Sequence, residues 1–213
     1  MDIKKLQQIE LQYELEQFPD ELEFQIITGT LPLLISAPHS VTHFREGKSK
    51  FGEFMTAAIA ISLNELVGCS YITKRKNNFT DPNFDAQHPY KNEIIKFVQH
   101  NPTLFIIDLH IMSNKREANI EIGTGKGKNI FGQTELIAQL VQAFEAQQLQ
   151  PIIIDELFTG GNPNTVSSTI ARETNIPCIQ IELNWRLLDT SNSNHKIQEV
   201  LLALKQFIER TVH

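Results

Sequence analysis

The sequence predicts an α/β fold, with a mixed, mostly parallel central sheet and helices on both sides. Two observations carry this. Short apolar runs alternate with longer amphipathic stretches over nearly all of the 213 residues, the pattern of strand–helix–strand units joined by right-handed crossovers. Several runs, notably Pro151–Asp155 (PIIID) and Leu104–Asp108 (LFIID), lack polar alternation, as expected of strands covered on both faces. No internal repeat or low-complexity segment interrupts the pattern, so one domain spanning residues 1–213 is expected.

Along the chain, Leu6, Ile9 and Tyr13 stand at helical spacing among charged residues and predict an N-terminal helix within residues 1–18. Strands are predicted at Phe24–Ile27, Leu33–Ile35, Tyr71–Ile72, Leu104–Ile107, Ile120–Ile122, Ile152–Ile154 and Cys178–Ile181. Between them, amphipathic spacing predicts helices near Glu53–Leu66, Tyr90–Gln99, Gly132–Gln147 and Thr165–Thr174, with a closing helix near His195–Arg210. The segments Lys74–Pro89 and Asp155–Asn164, rich in Asn, Asp, Pro and Gly, read as loops at a sheet edge.

Composition narrows the function. Lys+Arg 19 against Asp+Glu 25 gives a formal charge of −6 with no basic block, which argues against a nucleic-acid binder living on phosphate contacts. Apolar runs such as Leu31–Ile35 fall far short of the roughly 18–20 residues a membrane span requires, and the N-terminus lacks the apolar core of a signal peptide. Cys69 and Cys178 are isolated, so neither a disulfide framework nor a thiolate cluster is expected, and a cytoplasmic location is. The expected partner is a small molecule; the oligomeric state is not legible.

Ligands in open α/β sheets bind beyond the carboxyl ends of the strands, which singles out the residues after each apolar run. His39-Ser40 follows LPLLISAP, and His110 follows TLFIIDL with Asp108 two residues earlier. Two imidazoles and a carboxylate suit a zinc ion with an open position for water; each histidine can equally be a strand-end residue hydrogen-bonded to its surroundings. Glu53, at the head of the following helix, is either a third ligand or a first-turn acid favoured by the helix dipole. Glu182 shares a strand face with Gln180 and Asn184 inside an apolar run, where a carboxylate is costly to bury without a task or a partner. It reads as a general base with raised pKa, or as an ion pair with Arg186 or Arg172. Arg45, Lys48 and Lys50 crowd the loop after His39, as a solvated run or as grips for a substrate carboxylate or oxyanion; Arg116 and Arg172 offer similar grips. Gly123–Asn129 fails both the P-loop and G-x-G-x-x-G patterns, because Ile122, Lys128 and Asn129 occupy required positions.

These residues together resemble the N-formylglutamate amidohydrolase family, a branch of the zinc-carboxypeptidase-like hydrolases. The resemblance lies in Ala37-Pro38-His39-Ser40, Arg45…Lys50…Glu53-x-x-Thr56, Ile107-Asp108-Leu109-His110, Ile122-Gly123-Thr124-Gly125, Phe158-x-Gly160-Gly161 and Gln180-Ile181-Glu182-Leu183-Asn184, in order from about residue 33 to 186. Val41 departs from the Gly often found after Pro-His-Ser, and Thr42 from the His-x-x-Glu spacing of carboxypeptidases. The resemblance implies a three-layer α/β/α fold and a Zn2+ site, or one for another divalent metal, on His39, Glu53 and His110. It puts Glu182 in the place of the water-activating carboxylate. The expected activity is hydrolysis of an N-formyl or N-acyl amino acid, with water activated at the metal as nucleophile. Glu182 and Arg45 would be catalytic, and Lys50, Arg116, Arg172, Asn184 and Arg186 would grip a carboxylated amide. The alternatives are a non-catalytic binder of small anions or peptide termini, its metal site closed by a fourth ligand such as His43, and a metallocarboxypeptidase.

Overall fold

The computed structural model describes residues 2–212, so Met1 and His213, the ends of the expected domain, lie outside the described residues. A seven-stranded sheet organises it, in the order β1-β5-β2-β6-β9-β7-β8. The strands are β1 (Phe24–Ile27), β2 (Leu33–Ala37), β5 (Ser70–Lys74), β6 (Phe105–Met112), β7 (Ile120–Gly123), β8 (Ile152–Ile154) and β9 (Cys178–Asn184). The four central strands β5, β2, β6 and β9 run parallel, β1 is antiparallel to β5, and β7 is antiparallel to β9.

Strand alternation sorts the side chains into two layers. Leu33, Ile35, Ile107, Leu109, Ile179, Ile181 and Leu183 meet α1 (Ile3–Glu14), α2 (Met55–Val67), α4 (Thr134–Ala146) and α7 (Ile197–Val212) in one large apolar core. On the opposite face Leu34, Ile72, Ile106 and Cys178 meet α3 (Pro89–His100) and α5 (Val166–Thr174). That second core uses only the early residues of each strand. Beyond them the same face turns polar, with Ser36, Asp108, His110, Gln180 and Glu182 all buried. The polar rim of the candidate site therefore lies past the apolar contacts with α3 and α5.

The expected elements are found with ends moved by a few residues. The N-terminal helix is shorter than residues 1–18, because Asp2 caps it through Lys4 N and it closes at Glu14. The basic stretch after His39 is a small hairpin, β3 (His43–Arg45) and β4 (Lys48–Lys50). Its turn residues Glu46 and Gly47 have φ of 53° and 72°, the left-handed pair that a two-residue hairpin turn requires. Three-residue strands are too short to leave a periodic trace in the sequence. One helical turn, α6 (Trp185–Leu188), follows β9 directly.

Candidate functional site

His39 sits just past β2, and its carbonyl accepts the Glu53 N–H at 2.7 Å. This bond closes the hairpin excursion and returns Glu53, two residues ahead of α2, to the side of His39. His110 arrives from β6, directly across the parallel ladder from Glu182 on β9. His39 Nδ1 lies 3.0 Å from Glu53 Oε1, His110 Nδ1 lies 3.1 Å from Glu53 Oε2, and the two Nδ1 atoms are 3.2 Å apart. Three donor groups thus converge.

The outer nitrogens explain which atoms converge. His39 Nε2 meets Asp81 Oδ1 at 2.9 Å, and His110 Nε2 meets Asp108 Oδ2 at 3.3 Å. Carboxylates only accept, so each ring carries a proton on Nε2, which leaves the inward Nδ1 as the atom that would bind a metal, with the outer carboxylate orienting the ring. Asp108 is in turn held by the Ser36 hydroxyl at 2.8 Å. Bonds of about 2.0–2.1 Å to a tetrahedral zinc put ligand atoms roughly 3.3 Å apart, close to the separations seen. Glu53 faces both Nδ1 atoms, so protons on those nitrogens can balance its charge, and a divalent cation among the three groups would take the place of those protons. The donor set fits a divalent cation.

A second grouping, His39, His43 and Asp81, is also close together. It fits a metal less well. The His39 and His43 rings stack with centroids 3.9 Å apart and planes 4° from parallel, so their in-plane lone pairs cannot aim at one ion. His43 Nε2 lies 3.7 Å from Asp81 Oδ2, and His43 is not among the residues that converge with Glu53 and His110.

Electrostatics follow from burial and contact. Burial alone would push the Glu53 carboxyl up, but His39 and His110 hold it well below the usual carboxylate range. The same opposition holds Asp81 low, through His39, His43 and Arg45. Burial lowers His39 and His110, yet Glu53 and their outer carboxylates keep both above the ordinary imidazole value. Glu182 behaves oppositely: burial pushes it up to about 7, with His110 opposing and Glu53 adding to the rise. Gln180 Nε2 donates to Glu182 Oε1 at 3.0 Å. Glu182, Gln180, Arg45 and the three converging residues line one cavity of about 290 Å³.

The sequence-selected cations and amides do not all reach this cavity. Arg45 does; its Nε donates to Asp81 Oδ2 at 2.8 Å and its guanidinium lies 5.3 Å from the Phe84 ring. Arg116 is exposed at the rim, 5.8 Å from the ring of the cavity-lining Phe158. Four expected substrate grips are placed elsewhere. Asn184 is fully buried and donates to the Arg116 and Ala118 carbonyls while capping α6, so its amide is committed to the backbone. Arg186 donates to the Asn114 carbonyl, and Arg172 pairs with Glu173 and the Pro163 carbonyl on α5. Neither is within 4.0 Å of Glu182, so the ion pair expected as an alternative for that residue is not formed among the described residues. Lys50 is exposed on β4, across from His43.

Asp81 was not among the residues selected from the sequence. Its only signal was Thr80-Asp81-Pro82-Asn83 within the irregular Lys74–Pro89 stretch, a turn-forming pattern that carries no mark of contact with His39. Glu121 is likewise unmarked: its buried Oε1 accepts the Leu157 and Phe158 N–H groups at 2.5 and 2.6 Å and pins the second irregular loop beside the cavity.

Helices on both sides of a mixed, mostly parallel sheet make three layers, an architecture shared with solved structures of hydrolases. The chain superimposes on an N-formylglutamate amidohydrolase from Ralstonia eutropha JMP134 with a TM-score of 0.58 and 14% identity, over 89% of this chain and 98% of that one. A bacteriophage poly-gamma-glutamate hydrolase gives 0.56 and 12%, over 91% and 92%. A metallo-carboxypeptidase from Burkholderia cenocepacia gives 0.50 and 9%, over 93% and 66%. At these identities the likeness is one of fold, and it is the fold that the sequence motifs implied. No family model and no curated protein matches the chain.

Proposed function

We propose that this chain is a metal-dependent hydrolase of amide bonds, acting on an N-formyl or N-acyl amino acid or a similar small carboxylated amide. The observation that carries the reading is the inward convergence of His39 Nδ1, His110 Nδ1 and Glu53 beside a buried Glu182. His39, Glu53 and His110 would hold the ion, with zinc the expected metal, and Asp81 and Asp108 would fix the two imidazoles. Zinc, when bound, acidifies water and polarises a carbonyl oxygen.

The chain's own residues supply the rest. Glu182, lifted to about 7 chiefly by burial, has the proton affinity of a base working near neutrality. It takes the proton of the attacking water and returns it to the leaving nitrogen, so amide and water become acid and amine. Gln180 donates to Glu182 Oε1 and aims the carboxylate. Arg45, anchored by Asp81 but partly exposed to the cavity, binds a substrate carboxylate or the oxygen that gains charge. No helix among the described residues is long and apolar enough to cross a membrane, and a small-molecule substrate in the Arg45 cavity is the expected partner.

Elemental analysis of purified protein together with a panel of N-formyl and N-acyl amino acids and dipeptides tests the reading. One equivalent of zinc and turnover of acylated amino acids above dipeptides are expected. Protein that binds no zinc, manganese or cobalt tightly overturns it, and preference for dipeptides moves it to a carboxypeptidase.

A further inference from the structure

The cavity at His39 and His110 has a larger neighbour. A second cavity, of about 510 Å³, shares Glu53 and Ile111 with the first, so the two meet at a proposed metal ligand. Their walls differ in chemistry. The first is polar, with Arg45, Asn83, Asn162 and Gln180. The second is walled by Phe51, Phe54, Met112 and Trp185, and by two acids of α1, Glu10 and Glu14.

Those acids stand one helical turn apart on the same face of α1. Neither carboxylate makes an ion pair or hydrogen bond among the described residues. Burial first, then the charges of Glu14 and Asp189, push Glu10 up to about 7. Like charges on neighbouring turns are relieved by a cation, and among the described residues no Lys, Arg or His side chain pairs with either acid. Phe51, 80% exposed, stands edge-on to Phe54 with centroids 5.2 Å apart and extends the apolar wall outward.

We propose that this second cavity is a substrate subsite for an apolar group ending in an ammonium or guanidinium, on the opposite side of the scissile bond from the half held near Arg45. The inference rests on the amidohydrolase reading and narrows its substrate to amides that join a carboxylate-bearing half to a cationic, apolar half. Glu10 and Glu14 set the charge preference, and Phe51, Phe54 and Trp185 provide the apolar contact.

Calorimetric titration of the zinc-loaded protein with 4-phenylbutylguanidinium, which is a poor zinc ligand, against the uncharged 4-phenylbutanol tests this. The cation is expected to bind about tenfold tighter, a ratio of the size that one well-placed charge contact supplies. The double variant Glu10→Gln/Glu14→Gln should bring the ratio close to one. Glu14→Lys, at an exposed position that tolerates substitution, should reverse it. Equal affinities in the unaltered protein, or a preference that survives both variants, overturn the subsite. Binding is read without turnover, so charge-selective binding by a protein that hydrolyses no amide counts against the hydrolase reading. Hydrolysis without charge selectivity counts against the subsite alone.

Discussion

The two faces of the sheet are made by the same strands and do different work. Toward α2, α4 and α7, β6 and β9 present Ile107, Leu109, Ile179 and Ile181, all fully buried in a continuous apolar core. Toward α3 and α5 the alternate residues of those strands begin apolar, at Ile106 and Cys178, and end as Asp108, His110, Gln180 and Glu182. The first face supplies stability, because apolar burial is non-directional and adds with area. The second face holds polar groups that are tolerable only when fully partnered, and its chain from Ser36 through Asp108, His110, Glu53 and His39 to Asp81 is partnered almost throughout. Rigid strands fixed by one face hold the chemistry of the other in place.

Substitutions should separate the two. On the polar face, Glu182→Gln is expected to keep the metal and lower turnover by about 10²–10⁴-fold, the usual worth of a general base; steady-state kinetics with parallel metal analysis checks it. Near-normal turnover with metal retained would remove Glu182 from the base role. On the apolar face, Phe207→Ala, which removes a buried ring packed 5.5 Å from Phe105, should cost about 3–5 kcal/mol of stability. Denaturant unfolding reads that loss, and the surviving folded protein should bind metal in the same ratio. If metal affinity fell in step with stability, the two faces would not be separable.

Smaller effects sharpen the contrast. Asp108→Asn removes the negative charge that orients and polarises His110, and should weaken zinc binding about 10–100-fold in a chelator competition. Glu10, whose carboxyl lies at about 7 rather than the ordinary 4.5, keeps a proton between those pH values that the unfolded chain has released. Its contribution to stability is therefore present at low pH and declines as pH rises through that window. Thermal melts at pH 5 and pH 8 should differ less in Glu10→Gln than in the unaltered protein, by a small margin.

Much of this was legible in the sequence, for definite reasons. PIIID and LFIID announced strands covered on both sides because nothing polar interrupts them, and His39, His110 and Glu182 stood out as polar residues at strand ends. Glu53 could not be separated from a helix-start acid by composition, since the bond from its N–H to the His39 carbonyl joins residues across a hairpin too short to show periodicity. Asp81 was illegible because its partner His39 lies 42 positions away, across a hairpin, a helix and a strand, and its own Thr80–Asn83 stretch reads only as a turn. Asn184 misled for the opposite reason: a strand-end amide looks like a ligand group, while its bonds go to backbone carbonyls. Spacing reports which face a residue takes; it does not report what that face meets.

X-ray absorption at the zinc edge of the loaded protein addresses the central claim most directly. Two imidazole nitrogens and carboxylate oxygen are expected at about 2.0–2.2 Å, with one nitrogen lost in each of His39→Ala and His110→Ala. A coordination shell unchanged by either substitution, or one that depends on His43 instead, would contradict it.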